Sequence, residues 1–250
     1  MDWIYLLLLT LLGISIGSFS NVLILRIPKG EDFVSTPSHC MHCGHRLSAL
    51  DMVPIVSFLC LKGKCRYCGE KLSRQYPIVE AVSGLLYFLT GWLMWGDWVR
   101  IGLYCGLATL LLVLSVIDWR TFQIPNGINF AIFLLGALQL ALDFANWQLY
   151  VFGMVAVGLI FLLLHIATGG NGLGMGDVKL VAAAGLLIGW QKMILGIFVG
   201  CLCGIVIHTI RMQKGAGRKL AFGPYLSVGI WFAAVAGGQL IAAYLSLFGL

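Results

Sequence analysis

The feature that most constrains this chain is its series of long apolar runs joined by short polar connections. The first, Trp3 to Leu25, holds no charged residue at all. A helix crosses the hydrocarbon of a bilayer with about 17–25 mostly apolar residues. Runs of that kind fall at 3–25, 78–96, 100–119, 127–142, 149–167, 172–190, 193–210 and 223–247. Hydrophobic residues make up 60% of the chain and charged residues 10%, against about 25% charged in a soluble domain. A soluble fold of this size could not bury so much apolar surface. The expected fold is therefore an all-α polytopic membrane protein of about eight transmembrane helices, with a cytosolic cysteine-rich loop inserted between helices 1 and 2. This divides the chain into a first helix (1–25), a loop (26–77) and a seven-helix membrane core (78–250). The first run lacks a basic flank, Asp2 being its only neighbouring charge, and is too long for a cleaved signal sequence. It reads as a retained span.

The sixth run is the weakest. Its purely apolar part, Val178 to Trp190, reaches span length only when extended back through Asn171-Gly-Leu-Gly-Met-Gly-Asp177, which places Asp177 inside a helix. Lys and Arg set the orientation. With the N-terminus outside, the inner segments 26–77, 118–126, 168–179 and 211–222 hold 14 of the 16 basic residues, among them Lys214, Arg218 and Lys219, leaving Arg100 and Lys192 outside. The positive-inside rule selects both termini outside and the large loop in the cytosol. That loop carries eight basic and four acidic side chains, which topology and contact with anionic lipid explain; the charge follows topology, and no nucleic-acid partner is expected. Gly13/Gly17 and Gly200/Gly204 have the small-residue spacing of closely packed membrane helices.

Within the loop stand Cys40-Met-His-Cys43 and Cys65-Arg-Tyr-Cys68, separated by 21 residues and each followed by a glycine, Gly44 and Gly69. Each pair turns two thiolates to one side of a tight knuckle, and two knuckles complete a tetrahedral zinc site with no open position. The metal is then structural, a staple for a loop with too few large apolar groups to build its own core. Disulfides are disfavoured in a reducing compartment. His39, His42 and His45 read as solvated loop residues, and Cys60, Cys105, Cys201 and Cys203 as buried small hydrophobes.

Of ten acidic residues, only Glu80, Asp118 and Asp177 fall at or within inner span ends. Ionisable groups inside a membrane are costly and mark function by default. Adjacent spans run in opposite directions, so Asp118, closing the third, and Asp177, early in the sixth, emerge at similar depth on the cytoplasmic side. Two converging carboxylates can share a proton, one acting as base toward water and the other as acid toward a carbonyl. This is metal-free aspartic proteolysis. The bland alternative is pairing with Arg120 or Lys179. Helix-end electrostatics predict Asp118 as the readily protonated member and Asp177 as the ionised one. Asn126 is a candidate helix cap after Pro125.

Along nearly its whole length the chain resembles bacterial type IV prepilin peptidases, many of them bifunctional leader peptidase/N-methyltransferases. The likeness rests on Gly17-Ser-Phe-Ser-Asn-Val22 with Arg26-Ile-Pro28, the paired CxxC loop and Tyr76-Pro-Ile-Val-Glu80. It continues through Asp118 with Ile124-Pro-Asn126, Gly174-Met-Gly-Asp-Val-Lys179 and Phe222-Gly-Pro224. The Gly174-Met-Gly-Asp177 stretch is also similar to the GxGD signature of other intramembrane aspartic peptidases. The resemblance implies a hydrolase of the bacterial cytoplasmic (inner) membrane with Asp118 and Asp177 catalytic. Its substrates would be prepilins and pseudopilins of type IV pilus or type II secretion systems, cut after a glycine at the cytoplasmic face. It also implies methylation of the new N-terminus with S-adenosylmethionine. No cofactor loop is visible for that second activity: the glycines before Asp177 lack the lysine-hydroxyl ending of a phosphate loop. Glu80, Asn21 and Arg26 match family positions without an assigned chemical role.

The main rival is a secondary transporter or ion channel using Asp118 and Asp177 as cation sites. It predicts midplane sites and repeat-related halves, and the chain has neither pattern. A non-catalytic scaffold presenting its metal loop to a cytosolic partner leaves the two acids unexplained.

Overall fold

The computed structural model describes residues 3–170, 172–213 and 220–249. Asp2, Asn171, Lys214, Arg218 and Lys219, which entered the topology and motif readings, lie outside the described residues. The described chain is helical: α1 (Trp3–Arg26), α2 (Val56–Cys60), α3 (Gln75–Leu93), α4 (Trp98–Thr121), α5 (Asn126–Leu142), α6 (Trp147–Phe152), α7 (Gly158–Ala167), α8 (Met175–Ile188), α9 (Trp190–Gln213) and α10 (Gly223–Ser246). A π-helical turn, Gly153–Val157, links α6 to α7. Six helical stretches are long and apolar enough to cross a membrane, the α6–α7 stretch counted as one. α5 (17 residues) and α8 (14 residues) are shorter. Large apolar side chains lie exposed along α1 (Leu7, Leu8, Leu11) and α7 (Leu159, Ile160, Leu163), as lipid-facing surfaces require. The chain is a multi-pass membrane protein.

Two compact units divide it, the first ending at Ile101 and the second starting at Gly102. In the first, α1 packs along α3 through glycine. A Cβ on Gly13 would sit 2.7 Å from Tyr87 Cβ, and one on Gly17 would sit 2.8 Å from Glu80 Cα. The Ser83 hydroxyl donates to Gly13 O at 2.7 Å, sealing the contact without exposing a polar group to lipid. Toward the loop, Asn21 Nδ2 donates to Tyr76 O at 3.2 Å and Gln75 Nε2 to Asn21 Oδ1 at 3.1 Å. Arg26 is buried and donates to the carbonyls of Asp32, Thr36 and Pro37, drawing the start of the loop around its guanidinium. At the other end, Tyr5 meets Trp98 edge-on at 4.5 Å and Trp95 at 5.5 Å, the aromatic girdle of a membrane interface.

In the second unit α8 is enclosed on nearly all sides, with Leu180, Val181, Ala184 and Leu187 inaccessible. At 1.5 Å rise per residue its 14 residues extend only about 21 Å, too short to span alone. The helix begins at Met175 with Gly174 as its N-cap, so the predicted extension back to residue 172 is not helical, and Asp177 lies in the first turn. The backbones of α8 and the π turn touch: a Cβ on Gly185 would fall 2.4 Å from Gly153 O. The π turn offsets its helix there, a common device where regular packing is interrupted. α9 and α10 make a similar bare-backbone contact, since a Cβ on Gly229 would sit 2.0 Å from Gly196 O. Of the predicted packing pair on α9, Gly200 is tight (3.0 Å to Tyr225 O) and Gly204 makes only ordinary contact at 3.7 Å.

Three further expectations change. Asn126 is the first helical residue of α5 and Pro125 the cap position. α4 runs on to Thr121, so Asp118 sits inside its last turn. Cys105 is buried as expected, whereas Cys60 is exposed and Cys201 and Cys203 are half-buried.

Gly229→Val should lower stability in detergent by about 1–3 kcal/mol, the usual penalty of forcing atoms into a packed interface. Gly102→Ala, where a Cβ meets nothing within 4 Å, should be neutral or stabilising by up to about 1 kcal/mol. Thermal melting of the two purified variants checks both.

Candidate active site and metal centre

Asp118 and Asp177 both belong to the second unit, and both are buried, 5% and 8% exposed. Asp118 Oδ2 accepts the backbone N–H of Gly223 at 2.9 Å. Gly223 is the first residue of α10 and is followed by Pro224, whose ring suits a helix start. The amide that meets Asp118 is thus one of the unpaired donors of a helix N-terminus. Only glycine fits there, because a Cβ on residue 223 would lie 2.7 Å from the same Oδ2. This accounts for the Phe222-Gly-Pro224 motif.

The glycines before Asp177 have equally local reasons. A Cβ on Gly176 would press to 2.9 Å on Ile124 Cβ, and one on Gly174 would come within 3.2 Å of Asp177 Oδ2. Asn129, buried on α5, donates through Nδ2 to Gly176 O at 3.1 Å and so ties α5 to the turn carrying Asp177. Lys179 donates to Asn126 Oδ1 at 2.8 Å, a second tie between the same helices, in place of the pairing with Asp177 that the bland reading anticipated. Asp177 Oδ1 and Asn129 Oδ1 are buried with no partner among the described residues, leaving acceptor capacity for a water or a substrate N–H.

Helix ends no longer separate the two acids. Asp177 lies in the first turn of α8 as expected, but Asp118 receives the N-terminal amide of α10 in addition to its place at the end of α4. Gly223, Asn129 and Ile124 were not singled out from the sequence, although Phe222-Gly-Pro224 and Ile124-Pro-Asn126 marked two of the three positions.

In the loop, the four sulfurs of Cys40, Cys43, Cys65 and Cys68 lie within 4.8 Å of one another, with Cys40 and Cys68 at 3.9 Å. Tetrahedral ligation at about 2.3 Å per sulfur places sulfurs roughly 3.8 Å apart, so the cluster suggests a structural metal. The knuckles repeat one design. Gly44 N bonds Cys40 O at 2.9 Å and Gly69 N bonds Cys65 O at 3.0 Å, while Cys40 N and Cys65 N take the carbonyls of His45 and Glu70. Gly44 and Gly69 have φ of 67° and 73°, where side-chain-bearing residues are strained. Backbone amides of Cys43 and His42 aimed at the Cys40 sulfur hold its thiol down to about 6, favouring the thiolate that binds metal. His45 stacks on Tyr67 at 3.7 Å and His39 bonds Pro37 O, so neither belongs to the sulfur cluster.

Residues 11–94 match the bacterial peptidase A24 N-terminal domain, and residues 105–209 match the type IV leader peptidase family. A prepilin leader peptidase/N-methyltransferase of Stutzerimonas stutzeri is 33% identical over 96% of this chain and 94% of its own length. Proteins of that description from Pectobacterium carotovorum subsp. carotovorum (33% identical, 92% of each chain) and Neisseria gonorrhoeae (33% identical, 90% of this chain and 88% of its own) are similar to it as well. No solved structure matches the chain. The chain belongs to the type IV leader peptidase family.

Cys40→Ser and Cys68→Ser should each lower the metal content of purified protein, read by elemental analysis, and lower its melting temperature. Full metal occupancy in both variants would exclude a four-sulfur site.

Proposed function

We propose that the chain is a bifunctional enzyme of the bacterial inner membrane. It removes the basic leader of type IV prepilins and pseudopilins after a glycine and then methylates the new N-terminus. The observation that carries the peptidase reading is the buried pair Asp118 and Asp177, both within one compact unit and each seated against a glycine, Gly223 and Gly174. Both termini face outward in this reading, and the dyad opens toward the cytoplasm. Two such carboxylates resist ionising together, so they hold a proton between them. The charged member takes a proton from water as it attacks the scissile carbonyl, and the protonated member donates to the carbonyl oxygen. When the tetrahedral species collapses, the leaving amine is protonated in turn. The Gly223 amide keeps the Asp118 carboxyl in one orientation throughout. The four cysteines hold a structural zinc that fixes the loop and takes no part in hydrolysis.

The methyl donor, S-adenosylmethionine, supplies an electrophilic methyl group on a sulfonium. A cavity of the first unit supports this reading. Its volume is about 330 Å³, and its lining includes Met52, Phe58 and Leu61 beside Glu31, Glu70 and Glu80. Small-molecule sites run from about 300 to 1,000 Å³ with apolar walls and a few polar groups. Apolar walls suit the adenosyl part, and the polar lining, acidic and basic together, suits a ligand with charged ends.

Asp118→Asn and Asp177→Asn should each cut prepilin cleavage at least about 100-fold, the scale of one general acid or base. Mass spectrometry of a prepilin peptide incubated with detergent-purified protein measures this, with melting temperature as the control for folding. Wild-type cleavage without any membrane gradient separates a peptidase from a transporter, and full cleavage by either variant would remove the dyad.

A further inference from the structure

The bifunctional reading leaves open which side chain of the first unit handles the amine to be methylated. We infer that Glu80 is that residue: its carboxylate receives the N-terminal ammonium of the cleaved pilin and takes its proton as the methyl group is transferred. This rests on the bifunctional reading and deepens it.

Glu80 is 6% exposed, yet no Lys or Arg pairs with it among the described residues. A buried carboxylate without a counter-charge is costly, and one on a membrane helix is a functional candidate by default. It lines the 330 Å³ cavity. The other acids there are committed or exposed. Asp51 accepts from the Ser48 amide and hydroxyl, Arg66 and Tyr67, which fills its capacity. Glu31 lies in an exposed pair with Lys29, and Glu70 is exposed. Glu80 accepts the Ile55 N–H on Oε2 at 2.7 Å. A carboxylate has about four acceptor sites, so room remains for an ammonium.

The surroundings hold this carboxylate rigidly. Gly17 lets α1 approach to where a Cβ would be 2.8 Å from Glu80 Cα. Ile55 has φ 61° and ψ −51°, in a tight γ-turn in which Val56 N bonds Pro54 O. That conformation is strained for a β-branched residue, and strain of this kind concentrates at functional sites. The turn aims the Ile55 amide at Glu80.

The chemistry balances within the cavity. The acceptor arrives as an ammonium, balances the charge of Glu80 and gives up one proton to it. The amine lone pair forms the new N–C bond while the S–C bond breaks, with sulfur keeping its electron pair. The sulfonium becomes a neutral thioether, and the proton later passes from Glu80 to solvent. A fixed base of this kind contributes about 100- to 10,000-fold.

The test uses full-length protein and a synthetic peptide that begins at the mature pilin N-terminus, so that no cleavage is needed. Methyl incorporation is followed by mass, and affinity for S-adenosylhomocysteine by calorimetry. Glu80→Gln keeps an acceptor for the Ile55 amide and removes the base. It should lower methyl incorporation at least about 100-fold, with metal content and melting temperature unchanged and product affinity within about threefold of wild type. Ser57→Trp, which fills the cavity wall, should abolish calorimetric binding. Wild-type methylation rates in Glu80→Gln would overturn the role of Glu80, and undiminished binding by Ser57→Trp would overturn the placement of the donor. A wild-type protein that cleaves prepilin yet never methylates the peptide would overturn the bifunctional reading beneath both.

Discussion

The hydrogen bond from the Gly223 amide to Asp118 spans 105 positions of sequence, and the arrangement of the second unit turns on it. A carboxylate below a membrane surface is expensive unless its oxygens find donors. Side-chain donors on neighbouring helices would bring their own desolvation cost. A helix N-terminus offers a donor that must otherwise find another partner. Opening α10 at Gly223 therefore meets two needs together, but only with a residue lacking Cβ at that point. The Phe222-Gly-Pro224 motif is the imprint of that requirement on the sequence.

The same logic of bare backbone runs through both units. Lipid is as apolar as leucine, so helices gain little by hiding apolar side chains from it and associate through close packing instead. Gly185 against Gly153, Gly229 against Gly196 and Gly17 against Glu80 bring backbones together where a single methyl group would collide. Rigidity follows, and with it the fixed placement of Asp118, Asp177 and Glu80. α8 shows the outcome most fully: it is too short to span, yet buried along its length because other helices take the place of solvent and lipid around it.

What the sequence disclosed and what it withheld divide along the range of the interaction. The Cys40-x-x-Cys43 and Cys65-x-x-Cys68 knuckles were legible because ligation by adjacent turns is local and stereotyped. The apolar runs marked α1, α3, α4, α9 and α10 to within a few residues, since a bilayer imposes length directly. The start of α8 lies later than the apolar run suggests because its enclosure by other helices removes the need for span length, which composition does not reveal. The helix-end ranking of Asp118 and Asp177 loses its basis for a related reason, since the local helix ends are visible in the sequence and the Gly223 amide is not. Glu80 stood out only as an acid at a span end. Its missing counter-charge, its cavity and the turn at Ile55 are properties of tertiary structure.

A double-mutant cycle shows whether Asp118 and Asp177 act as one catalytic unit. The measurement is kcat/KM for prepilin cleavage by wild type, Asp118→Asn, Asp177→Asn and the double variant, all in detergent at one pH. Groups that act as a unit are strongly non-additive. The double variant should be no slower than the worse single variant, within about threefold. Losses that multiply across the two sites would contradict it, because each aspartate would then contribute independently and the pair would not be a dyad.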